Sequence, residues 1–149
     1  MAFEAEPYIR RANYYETDKM GIVHHSNYIR WFEEARLDFM RQAGLRYTDM
    51  ENEGILMPVI EVSCKYKTSI VYDEEVKVCV KPTFFNGVRA AFAYEIYSLD
   101  HGELAVTGTS NHCFIDVHTR EPLYLKKRYP EFYEKAMELL SGVENGSEV

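Results

Sequence analysis

A chain of 149 residues, 46% hydrophobic and 28% charged, has the size and balance of one globular domain, which excludes disorder as its default state. Its net charge of −7 opposes general nucleic-acid binding, which depends on neutralising phosphates, but leaves room for an anionic ligand at one local basic patch. Three cysteines, Cys64, Cys79 and Cys113, form no close CxxC pair, which argues against a disulfide scaffold and for a reducing compartment.

The opening MAFEAEPYIRR has no apolar stretch of signal-peptide type, and no apolar run reaches the roughly 18 residues of a membrane span. A cytoplasmic protein without a membrane span is expected. Pro7 to Tyr15 is aromatic and extended in character and predicts a first strand. Thr17 to Val23 follows as a turn with Gly21 inside it. From Ser26 to Ala43 the pattern becomes helical, because Tyr28, Phe32, Ala35, Phe39 and Ala43 fall on one face. Ser26 or Asn27 is expected to cap this helix, and Gly44 stands where a C′ glycine belongs. Thr48 to Glu51 reads as a capping box opening a short helical turn that Gly54 closes.

After Gly54 the period becomes two. Val62, Cys64 and Tyr66 alternate with polar neighbours, as do Val76, Val78 and Val80. Asn86-Gly87 predicts a hairpin turn, Phe92, Tyr94 and Ile96 continue the alternation, and Asp100-His101-Gly102 predicts a second turn. Leu104 to Val117 predicts one more strand. A last helix is expected from Pro130 through Leu140. The order is α+β, with residues 1–141 forming one domain and the polar, acidic segment 142–149 a flexible tail. A thin sheet covered by one helix leaves apolar edges over, so a homodimer, or a dimer of dimers, is the expected completion.

Chemistry concentrates between Tyr14 and Tyr28. Asp18 sits in a loop just before a helix start, where the first N–H groups lack internal partners and carry partial positive charge. Such donors can stabilise an oxyanion, and a carboxylate beside them tends to stay ionised. Gly21 permits a tight turn, and Ile22-Val23 supplies an apolar wall. Together these parts suit attack on a carbonyl. The residues alone leave two readings of Asp18 open, a catalytic carboxylate and a solvated loop residue.

The segment Asp18-Lys19-Met20-Gly21-Ile22-Val23-His24-His25-Ser26-Asn27-Tyr28 resembles the signature of the hotdog-fold 4-hydroxybenzoyl-CoA thioesterase-like family, which includes acyl-CoA thioesterases associated with the Tol–Pal system. The Tyr72-Asp73-Glu74 turn, the Gly102 hairpin and the Cys113–Asp116 strand with Thr119 and Pro122 stand in family-like order, so the likeness runs from about Tyr8 to Lys127. The resemblance implies an antiparallel sheet of about five strands wrapped around one long helix, with an active site at a dimer interface. It implies acyl-CoA thioester hydrolysis, with Asp18 as nucleophile or general base and the His25 N–H polarising the thioester carbonyl. Gly21 and Val23 match the loop lining the thioester. His25 stands where hydroxybenzoyl-type enzymes carry Tyr, which points to the broader acyl-CoA branch. The rival readings are a hotdog dehydratase or hydratase and a non-catalytic acyl-CoA-binding protein.

Other candidates carry less. Adjacent His24 and His25 rarely converge on one ion, and His112, Cys113 and His118 diverge along a strand, so no metal is expected. No separate cofactor is expected either, because CoA would be part of the substrate. No Gly-x-Ser-x-Gly elbow supports a serine triad. Lys65, Lys67, Arg89 and the Lys126-Lys127-Arg128 run are the basic residues available for CoA phosphates. Arg89 and the 126–128 run are favoured, and the sequence does not choose between them.

Overall fold

The computed structural model describes residues 3–140. The 142–149 tail expected from composition lies outside the described residues. The elements are β1 (Tyr8–Arg11), α1 (Ser26–Gln42), α2 (Tyr47–Glu53), β2 (Ile55–Leu56), β3 (Val59–Tyr66), β4 (Glu75–Phe85), β5 (Arg89–Ser98), β6 (Glu103–Cys113), β7 (Ile115–Asp116), α3 (Leu125–Arg128) and α4 (Pro130–Leu139). Five strands form one antiparallel sheet in the order β1-β4-β5-β6-β3, and β2 pairs with β7 in a separate short ribbon.

Helix α1 buries its predicted stripe against this sheet. Trp31, Phe32, Ala35 and Phe39 face Val76, Val78, Phe92, Tyr94 and Ile96 across one apolar core. Phe32 stacks on Tyr94 with ring centroids 4.4 Å apart, and Phe39 meets Phe92 edge-on. The stack needs Gly108 on β6. A Cβ there would lie 2.4 Å from the Phe32 ring and 2.6 Å from the Ser63 carbonyl oxygen.

Helix α1 ends as the sequence suggests. Gly44 adopts φ +78°, its N–H donates to Arg41 O, and the Leu45 N–H donates to Met40 O, which makes a Schellman closure. The start differs. Neither Ser26 nor Asn27 caps the helix; His25 holds the N-cap position without a side-chain bond, and the Asn27 amide turns inward to the Glu16 carbonyl at 2.8 Å. The Thr48–Glu51 capping box is also absent, because α2 begins two residues earlier, with Arg46 rather than Thr48 at its N-cap. The first strand stops at Arg11 rather than Tyr15. Glu16 draws the Asn13 N–H onto its own carboxylate at 2.8 Å and curls Tyr14–Glu16 into a 3-10 turn that leaves both tyrosine rings in solvent. The last predicted strand breaks at Phe114, which enters the core, so that β7 can leave the main sheet and pair with β2.

Candidate active site

A small hairpin carries Asp18 from the 3-10 turn to the start of α1. Thr17 bridges to Val23, the Asp18 N–H donates to Ile22 O at 2.9 Å, and the Gly21 N–H returns to Asp18 O at 2.9 Å. Gly21 takes φ +81° with open space around it, so it is the backbone conformation and not crowding that calls for glycine. Val23 is buried, and its N–H donates to Ile70 O at 2.8 Å, tying the hairpin to the segment after β3. Asp18 is half-buried. Its Oδ1 accepts the Met20 N–H at 2.8 Å; among the described residues Oδ2 has no donor.

The first two N–H donors of α1 are both used. His24 Nδ1 accepts the Ser26 N–H at 3.2 Å and lies 2.8 Å from Ser26 Oγ, while the Asn27 N–H donates to His24 O at 2.9 Å. The N–H of His25, immediately before them, has no acceptor among the described residues. It therefore keeps its hydrogen-bonding capacity at the positive end of a 17-residue helix.

Asp18, Val23 and His25 line one cleft of about 180 Å³ together with Tyr28, Tyr66 and Lys67. Tyr66 donates its hydroxyl to the His25 carbonyl at 3.3 Å, and its ring packs 5.6 Å from that of Tyr28. Burial pushes the Tyr28 hydroxyl up to about 12, and the charges of Cys64, Glu74 and Asp18 add to the shift. Burial also raises Tyr66 to about 12, helped by the neighbouring Cys64 thiol. Both hydroxyls are neutral near pH 7. A cleft lined by a carboxylate with one oxygen free of protein donors, by a helix-start residue whose N–H is free and by two neutral phenols can bind a carbonyl and polarise it.

Sequence reasoning missed Tyr66 as part of this wall. It belongs to β3, 48 residues from Asp18, and non-local contacts such as Val23–Ile70 and Tyr66–His25 bring the two together. Arg89 lies elsewhere. It opens β5 seven residues before Ile96, which shares its partner Val106 with Tyr66, so it stands about 24 Å along the sheet at the usual strand rise. The 126–128 run sits at the same far end, because the Leu125 N–H donates to Gly87 O at 2.9 Å. Arg128 there pairs with Asp116 at 3.2 Å. Within one chain, then, neither basic candidate meets Asp18. Among the described residues no group of three or more His, Cys, Asp or Glu side chains is arranged to hold a metal. His112 is a core residue bonded to Ser110 Oγ at 2.8 Å, and burial followed by the Arg36 charge lowers it to about 4.

Comparison with known proteins bears on what this geometry serves. The model of the thioesterase-like superfamily matches residues 13–140. A DHNA-CoA thioesterase from Staphylococcus aureus has a crystal structure that superposes with TM-score 0.84, at 39% identity over 89% of each chain. YneP of Bacillus subtilis, whose name proposes acyl-CoA thioesterase activity, is 37% identical over 126 residues, covering 83% of this chain and 91% of YneP. The acyl-CoA thioester hydrolase YbgC of Escherichia coli O157:H7 is 23% identical over 118 residues, 79% of this chain and 84% of YbgC. These neighbours bear out the hotdog fold, a five-stranded antiparallel sheet around a long helix.

Proposed function

The chain belongs to the thioesterase-like superfamily, and from that premise we propose that it hydrolyses an acyl-CoA thioester with Asp18 as the working carboxylate. The observation that carries the reading is the meeting, in one cleft, of the Asp18 carboxylate and the residue whose helix-end N–H has no partner. A thioester carbonyl accepting the His25 N–H would develop its negative charge at the positive end of α1, where that charge is stabilised. Asp18 Oδ2 then acts in one of two balanced ways. It attacks the carbonyl carbon, the C–S bond breaks to release CoA thiolate, and water cleaves the mixed anhydride. Alternatively, it takes a proton from water, the resulting hydroxide attacks, and the proton passes to the departing sulfur. Gly21 holds the turn that places Asp18, and Val23 gives the site an apolar wall.

The same reading extends to assembly. Edge strand β3 exposes Val59, Ile60, Val62 and Tyr66. An apolar edge of this kind invites pairing with a second copy, so we propose a homodimer, or a dimer of dimers, joined there. Because Tyr66 lies both on that edge and in the cleft, pairing would also complete the active site. Arg89, with Lys126 and Lys127 at the same end of the sheet, is our candidate for the CoA phosphates, reached by an extended CoA or supplied by the partner subunit. Free Cys64, Cys79 and Cys113 support a reducing, cytoplasmic setting, and no described helix is long and apolar enough to cross a membrane. A place in the Tol–Pal-associated branch is a further proposal, carried by the Asp18–Tyr28 segment.

Thiol release followed with a thiol-reactive dye tests the function. The panel comprises short, medium, long and aromatic acyl-CoAs, including a dihydroxynaphthoyl-CoA, and matching carrier-protein thioesters. Release of free thiol from at least one member is expected. A hydratase would alter the acyl chain and release none, and a binding protein would leave every member intact; either result overturns the reading.

A further inference from the structure

Glu16 is a buried charged group, next in sequence to the hairpin that carries Asp18, that the chemistry does not use. It is 4% exposed, yet its carboxylate is fully engaged. Oε1 accepts Arg10 Nη2 at 2.7 Å and the Asn13 N–H at 2.8 Å, and Oε2 accepts Trp31 Nε1 at 2.9 Å. Arg10 is held in turn by Glu34 at 2.8 Å and lies 4.6 Å over the Trp31 ring. The backbone carbonyl of Glu16 accepts the His24 N–H at 2.8 Å and the Asn27 side-chain amide at 2.8 Å. One residue thus ties β1, the second turn of α1 and both sequence neighbours of the His25–Ser26 peptide to a single point.

We infer that Glu16 is a positioning residue for thioester hydrolysis, an anchor that fixes the His25 N–H relative to Asp18. The inference rests on the Asp18–His25 reading above. Both groups hang from Glu16 by short chain segments. Asp18 follows it by two residues, and His25 follows His24, whose N–H the Glu16 carbonyl holds. Loosening the carboxylate lets the 3-10 turn shift, and with it the hairpin on one side and the helix entry on the other. Misplacement on the scale of an ångström is enough to cost one to two powers of ten in rate without removing any group that touches substrate. A carboxylate is needed because donors approach from two directions. Gln has one acceptor oxygen, so its NH₂ must face either Trp31 Nε1 or the Arg10–Asn13 donors.

The test uses the full chain and its best acyl-CoA from the thiol-release panel. Trp31 is the only tryptophan, so its emission reports the anchor directly. In Glu16→Gln the Trp31 emission maximum is expected to shift, and kcat to fall about tenfold with KM within threefold, each measured well below the variant's own melting temperature. The pH profile of kcat/KM should keep its wild-type shape, because the reacting carboxylate is untouched. Trp31→Phe in the Glu16→Gln background removes the donor that Gln cannot accept and is expected to restore part of kcat. A shifted emission with kcat within twofold of wild type would overturn the inference, as would a loss confined to KM. Should Glu16→Gln fail to fold, Asn27→Ala loosens the same carbonyl from the other side; a severalfold fall in kcat is expected, and unchanged kcat overturns the inference. Asp18→Asn is measured alongside. If it is inactive while Glu16→Gln is fully active, only the positioning role fails; if it is active, the catalytic reading fails and the positioning role falls with it.

Discussion

Gly108→Ala places one methyl group at the tightest point between helix and sheet. The new Cβ would meet Phe32 at 2.4 Å and the Ser63 carbonyl at 2.6 Å, where ordinary contacts begin at 3.4 Å, so each neighbour must yield about an ångström. Neither has room. Phe32 is buried and stacked on Tyr94, and Ser63 is backbone in a strand whose residue 64 pairs with Gly108 itself. Overpacking of this kind costs about 2–3 kcal/mol, which for a domain of this size lowers the melting temperature by about 5–10 °C. Thermal unfolding followed by circular dichroism measures the drop. Phe32→Leu in the same background trims the clashing ring and is expected to recover part of it. A melting temperature within 2 °C of wild type would refute the packing argument, because it would mean that α1 can ride outward at no cost.

Acid stability depends on His112. Its folded value of about 4, against an ordinary 6.5, means that the unfolded chain binds a proton between those values that the folded chain does not. Stability is therefore complete above pH 6.5 and declines as pH falls toward 4, by up to about 3 kcal/mol from this residue. Urea midpoints across pH 4–7 should flatten in His112→Gln, and an unchanged slope would mean that the acid sensitivity lies elsewhere. At the β3 edge, Val62→Lys sets a charge on each copy of the proposed interface. Light scattering is expected to give a monomer with weakened thioester hydrolysis; an assembly of wild-type mass would remove β3 from the interface.

Local regularity made the frame readable. The α1 stripe, its Gly44 stop and the period-two strands around Val78 and Tyr94 each follow from a pattern repeated over many residues, and each stands in the structure. Features set by single distant contacts were not readable. Tyr14 and Tyr15 look like strand residues, but the Glu16 carboxylate bends them into solvent. The two-residue β2 and β7 are too short for any period to register. Asp18 and His25 were legible because the hairpin and helix start are contiguous in sequence. Tyr28 lay in the same segment, but its wall partner Tyr66 comes from a strand end that only the fold brings near. The place of Arg89 was not readable for the opposite reason: charge is easy to count in a sequence, but its distance from the cleft is set by the register of β5 and β6.

The most direct measurement is single-substrate turnover by Asp18→Asn, which keeps side-chain shape and removes the negative charge. Its Oδ1 can still accept the Met20 N–H, so the hairpin should persist and KM should change little. A fall in kcat on the order of 10² or more is expected if the carboxylate attacks the thioester or activates water. Turnover close to wild type, by a variant with unchanged melting temperature, would contradict the role assigned to Asp18.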